Sequence, residues 1–190
     1  PGERRAGALE SWLTTLSGFS PLDHGVETPL PRAGFGASLS AGEWHCFRVR
    51  PSNHPRRRIA GATGLLDRFP DEGLVAGLLR AAGSGNARGL TSALTVGGGP
   101  GRKEALIGQG RAADLAVNVV LPFFHGMAAR QGPRGEAYLQ LYHRFGRLQP
   151  NELTREMAGQ LLEPAWPGVV TNARRQQGLL HLHSLLTGAS

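Results

Sequence analysis

Along most of the chain the apolar residues recur three or four positions apart, the period of a helix with one buried face. Ala6, Leu9, Leu13 and Leu16 set such a stripe over residues 3–17, and Gly18 ends it. Ile59, Ala62, Leu66 and Phe69 set another, on a helix whose first position suits Pro55, with His54 or Asn53 before it. Asp71 is placed to cap a second helix carrying Leu74, Val75, Leu78 and Leu79. Tyr138, Leu141, Tyr142 and Phe145 mark a later one, and Asn151 caps the next, which bears Leu153, Met157 and Leu161. The last helix runs from about Val169 to Leu186. On its wheel Arg174, Gln177, His181 and Ser184 share one face, and Leu179, Leu182 and Leu186 another.

Ala112 to Arg130 is apolar on every side, which predicts a central, buried helix. Pro122 inside it would clash with the carbonyl of Asn118, so a kink is expected beside a buried Asn118, either functional or a simple hinge. Only Glu43 to Arg50 alternates like a strand, with His45, Phe47 and Val49 against Trp44, Cys46 and Arg48. It would need a pairing partner, or else be merely extended. Residues 18–42 hold Pro21, Pro29 and Pro31 and read as a long ordered loop or linker, and 83–102 as a glycine-rich loop around a short apolar piece near Leu90 to Val96. The expected fold is all-α, a helical bundle with at most one or two short strands. An N-terminal helix and Pro/Gly-rich loop would occupy 1–42, and a helical domain 43–190. Its expected core is Ile59, Leu66, Leu115, Val119, Phe123, Leu141, Phe145, Leu161 and Leu182.

Composition adds a partner class. With 40% hydrophobic and 18% charged residues the chain is globular rather than disordered. Twenty-one Lys+Arg against 14 Asp+Glu leave a formal charge of +7, which favours a polyanion: nucleic acid first, an anionic membrane surface second. Lys103 is the sole lysine and glycine is abundant, so coding bias accounts for part of that skew. The lone Cys46 excludes an internal disulfide or a cysteine-cluster metal site and suits a reducing cytoplasm. The longest apolar run, Leu115 to Ala129, is interrupted by Asn118, Pro122 and His125 and falls short of the roughly 20 residues of a membrane span. An opening Pro1-Gly2-Glu3, with no initiator Met and no leader, is what a fragment of a longer polypeptide would show.

The excess concentrates in Arg48-Val49-Arg50-Pro51-Ser52-Asn53-His54-Pro55-Arg56-Arg57-Arg58-Ile59-Ala60-Gly61, five arginines and a histidine in fourteen residues without an acid. Arg56, Arg57 and Arg58 would fill the first turn of a helix, where the dipole is already positive, an arrangement suited to a phosphate or to internal pairing with acids elsewhere. Other motifs are incomplete. Gly108-Gln109-Gly110-Arg111-Ala112-Ala113 matches a dinucleotide fingerprint, but no convincing strand precedes it and no ribose-binding acid follows. Gly97 to Lys103 lacks the ending of a phosphate loop. His181 and His183 point apart on a helix, and His125 and His143 have no chelating spacing. Glu152 and Glu156 share a helix face that looks solvated. No catalytic constellation, cofactor motif or metal site is expected, and enzymatic activity is left open.

Three segments together resemble a known family: Arg48 to Gly61, Asn118-Val119-Val120-Leu121-Pro122-Phe123-Phe124, and Asn172-Ala173-Arg174-Arg175-Gln176-Gln177-Gly178-Leu179. They are similar to the C-terminal helical half of the bacterial family called domain of unknown function 2851, from about residue 40 onward. That family's other half resembles a nuclease-like α/β core, whose Gly-Pro-Asp-Phe and Val-Glu-Ile-His style motifs this chain lacks. Some members end in a cysteine-rich segment where this chain has Arg174 to His183. The resemblance implies a helical partner of a nuclease-like domain in a longer protein. Independently of the resemblance, Arg48, Arg50, Asn53, Arg56, Arg57 and Arg58 are the expected phosphate-binding residues, seconded by Arg174, Arg175, Gln177 and His181, with the Arg56-Arg57-Arg58 helix start and the Arg174/Gln177/His181 face forming one concave anion site. The rival expectation is a structural module with internally paired arginines, used for protein docking or dimerisation.

Overall fold

The computed structural model describes residues 2–18, 39–44, 46–50, 53–98, 104–129, 135–162 and 166–188. It is helical almost throughout, as the periodicity predicts. Among the described residues no strand forms, and β-pairing amounts to two isolated antiparallel bridges, Val96 with Ile107 and Gly146 with Asn172. The alternating stretch Glu43 to Arg50 is therefore not a strand. A 3₁₀ turn occupies Ala41–Glu43, and the chain turns again at Phe47 and Arg48. Most of the expected loop over 18–42, residues 19–38, lies outside the described residues. The chain forms two compact units, Pro1–Gly77 with Thr95–Gly108, and Leu78–Leu94 with Gln109–Ser190.

In the first unit, helix α1 (Gly2–Leu16) ends where Gly18 takes a φ of 74°, a conformation that costs glycine little. The N–H groups of Ser17 and Gly18 satisfy the carbonyls of Leu13 and Thr15, and Trp44 Nε1 donates to the Ser17 carbonyl at 2.8 Å. Helix α2 (Pro55–Asp67) packs on α1. Its buried positions are Pro55, Gly61 and Thr63, so small residues form its inner face. The apolar stripe misplaces that face: Leu66 is exposed and Ile59 half-buried. Gly61 and Gly64, one turn apart, leave a groove that receives the Val96–Ile107 bridge. A β-carbon on Gly61 would lie 3.1 Å from Ile107 Cγ1, and one on Gly64 2.6 Å from Val96 Cγ1. Arg68 closes that end by donating to the Thr95 carbonyl at 2.8 Å. Helix α3 (Gly73–Gly83) begins against Phe69, whose ring takes the space a side chain at Gly77 would need.

The second unit holds α4 (Ala87–Leu94), α5 (Gln109–Leu115), α6 (Leu121–Ala129), α7 (Gly135–Arg144), α8 (Glu152–Leu162), the short α9 (Trp166–Val169) and α10 (Ala173–Thr187). Helix α4 replaces part of the loop expected over 83–102. Asn86 starts it, accepting the Arg88 N–H at 3.0 Å, and Leu90 and Leu94 are fully buried. Between α5 and α6 a π turn spans Ala116–Val120, with Leu121 N–H reaching back to the Ala116 carbonyl. It sits immediately before Pro122, where an unbroken α-helix would drive the proline ring into the Asn118 carbonyl. The extra residue turns the following side chains by about 100° relative to an α-helical wheel. Ala112, Ala116, Val120, Phe124 and Ala128 are buried, whereas Asn118, Val119 and Phe123 face solvent. This helical run is thus covered on one side only, and Asn118 is not buried.

Phe124 packs on Tyr138 with ring centroids 5.6 Å apart, joining α6 to α7, and Leu141 and Phe145 are buried as expected. Met157, Ala158, Val170 and Leu179 join α8 to α10. Leu161 and Leu182, expected in the core, are exposed instead. Asn151 does cap α8, accepting from Thr154 N–H at 2.7 Å.

Candidate polyanion-binding site

No acid occurs between Glu43 and Asp67, so the first unit's basic segment carries no carboxylate of its own. Two features of the sequence fix its geometry. Pro55 occupies the first turn of α2, and His54 caps it, Nδ1 accepting the Arg56 N–H at 3.3 Å. The His54 carbonyl takes the N–H groups of Arg57 and Arg58 at 3.0 and 3.2 Å. The three arginines consequently leave successive positions of one turn and diverge.

Arg56 and Arg58 are exposed, and Arg58 Nη2 donates to Asn53 Oδ1 at 3.3 Å. Asn53 N–H in turn donates to the Arg50 carbonyl at 2.8 Å, so Arg50, Asn53 and Arg58 form one linked set. Arg57 turns inward. Its Nη2 donates to the Ala105 carbonyl at 2.8 Å and meets Glu104 Oε2 at 3.3 Å. The carbonyl bond is the stronger anchor, since Glu104 is 81% exposed and its ion pair is weakened by water. Arg48 and Arg50 are both exposed, with Arg48 lying over the Phe47 ring.

Arg174, Arg175, Gln177 and His181 belong to the second unit, on α10. Asn172 caps the helix, accepting the Arg175 N–H at 3.0 Å. The Arg175 guanidinium curls back to the Val169 carbonyl at 2.6 Å and Thr171 Oγ1 at 3.4 Å, closing the end of α9. Arg174 and His181 are exposed and Gln177 is half-buried. Burial raises the Tyr142 hydroxyl above its usual range, against the opposing charge of Arg174. Gln176, not among the expected site residues, is buried and tied to Leu148. Only 3% exposed, it accepts from Leu148 N–H at 2.6 Å and donates to the Leu148 carbonyl at 2.9 Å. Beside Gln177 in the same helix, nothing in the residue type tells which of the two glutamines is buried.

The second unit also has a pocket of about 330 Å³ whose lining includes Thr91, Gln109, Gly110, Arg147 and Gln149. Among the described residues of that lining, Arg147 is the only charged one. Asp114, on the same helix as Gln109, has its carboxyl pushed above the usual range by desolvation, with Arg111 opposing. His125 Nδ1 lies 3.0 Å from the Gly135 carbonyl, which fixes the proton on that nitrogen. Among the described residues no three His, Cys, Asp or Glu side chains gather closely enough to hold a metal ion. Nor is any described helix long and apolar enough to cross a membrane. Comparison with models of protein families, with curated proteins and with solved structures gives no match.

Proposed function

We propose that this chain is a non-catalytic helical module that binds phosphate-rich polymers, nucleic acid first, through the basic segment ahead of and within the start of α2. The observation that carries the reading is the exposure of Arg48, Arg50, Arg56 and Arg58 in a stretch with no carboxylate from residue 44 to residue 66. Guanidinium forks match phosphate oxygens in pairs, and such contacts hold a backbone without reading its sequence. Arg174 and His181 supply further exposed cationic or polar groups on α10. The resemblance to the helical half of domain of unknown function 2851 supports a role beside a nuclease-like domain, in the cytoplasm of a bacterium. Filter binding to mixed DNA and RNA over a salt series tests this: affinity should fall steeply with salt and vary little with sequence.

A rival reading has specific support. Arg57 and Arg175 bond to their own chain, and Leu182, Leu185 and Leu186 stand exposed on α10. On that reading the module docks to a protein or to its own copy. Its signature is absent or salt-insensitive nucleic-acid binding together with a concentration-dependent mass in solution.

A further inference from the structure

The basic segment also presents an aromatic ring, and in an unusual backbone setting. The Cys46 carbonyl and the Val49 N–H, 3.5 Å apart, close a four-residue turn with Phe47 and Arg48 at its two central positions. Arg48 has a φ of 56°, the one positive φ among the described non-glycine residues. Glycine or asparagine normally fills the third position of such a turn, because a β-carbon is strained there. The strain is not repaid by packing, for Phe47 is 72% exposed. The Arg48 guanidinium lies 5.1 Å from the Phe47 centroid, over one face of the ring. At 72% exposure the ring stays accessible beside its contact with Arg48. Exposed Arg50, Asn53, Arg56 and Arg58 follow on the same segment.

We propose that Phe47 is a stacking platform for an unpaired nucleobase, and that the segment selects single-stranded over duplex nucleic acid. The inference rests on the polyanion reading above and names its substrate class. A duplex keeps its bases stacked on each other and offers the arginines phosphates alone. A single strand offers phosphates and free base faces, and an aromatic ring among cations is the arrangement that takes both. Arg48 then serves twice, stiffening the ring through its cation–π contact and adding a phosphate donor beside it. Stacking accepts any base, so the strand is bound with little sequence preference.

Fluorescence anisotropy with labelled oligothymidylate, oligouridylate and a duplex of equal length, all of about twelve nucleotides, tests the proposal, with heparin as a polyanion that has no bases. The wild-type chain should bind both single strands more tightly than the duplex. Phe47→Ala should lose about tenfold on the single strands, with duplex and heparin binding unchanged, and Phe47→Trp should restore it. Because the ring is exposed, the thermal midpoint of Phe47→Ala should match wild type. Equal affinity for single strand and duplex, or a single-strand preference that Phe47→Ala leaves intact, overturns the stacking platform and spares the polyanion reading. Failure of every probe, heparin included, overturns both.

Discussion

Arg57 and Arg58 are neighbours in the sequence and opposites in the structure. Arg57 is held by the Ala105 carbonyl and Glu104, whereas Arg58 is exposed and reaches Asn53. Arg57→Ala should therefore lower the thermal midpoint, by an amount equivalent to about 1–2 kcal/mol for a lost charge-assisted hydrogen bond. Arg56→Ala, at an exposed guanidinium, should cost less stability and weaken binding. Calorimetry of the two variants at neutral pH compares a guanidinium anchored to the Ala105 carbonyl with an exposed one. Gln176 is a stricter case, since both of its hydrogen bonds are buried. Gln176→Leu would strand the Leu148 N–H and carbonyl and should cost about 2–4 kcal/mol, read in urea denaturation. Neither role was legible in the sequence. A run of arginines says how much charge is present, and only the fold says which guanidinium meets a carbonyl.

Some helix starts were legible, because a cap is a local device, whereas α10, expected from about Val169, begins only after Asn172. His54 with Pro55, and Asn151, could be read directly from residue type and position. Buried faces were less legible where small residues make them. The inner face of α2 is glycine and threonine, so large apolar residues such as Leu66 were mistaken for it. The run from Gln109 to Ala129 failed differently: apolar on every side, it was expected to be wholly buried, whereas Val119 and Phe123 are exposed. Helix α4 was hidden by the flanking glycines, although Asn86 followed by Leu90 and Leu94 is a cap and a stripe. The alternation at Glu43 to Arg50 is the opposite error, a period of two with no second strand to meet it. Glycine substitutions test this account of the elements. Gly64→Ala would press a methyl against buried, β-branched Val96 at 2.6 Å. Any gain in helix propensity is outweighed, for a net loss of about 1–2 kcal/mol. Gly178→Ala, in open space on α10, should stabilise by about 0.5–1 kcal/mol. Paired thermal melts would show the opposite signs.

At the scale of the molecule, the formal charge of +7 is uneven, and its densest stretch is the turn and helix start that expose Arg48, Arg50, Arg56 and Arg58. Composition gives the charge but not which guanidinium is tied up, since Arg57 is held by Ala105 and Glu104 from distant positions and Arg175 by Val169, six residues away. Replacing the four exposed arginines with alanine removes the proposed site without touching the bonds of Arg57 or Arg175. The decisive measurement is the affinity for duplex DNA against salt, for the wild-type chain and this fourfold variant. Four phosphate contacts correspond to a slope of log K on log salt of about −3.6. The wild type should approach that value, and the variant should bind weakly with a slope near zero while melting close to wild type. A salt-insensitive wild type, or a variant that binds as well as its parent, would contradict the assignment of this segment as the polyanion site.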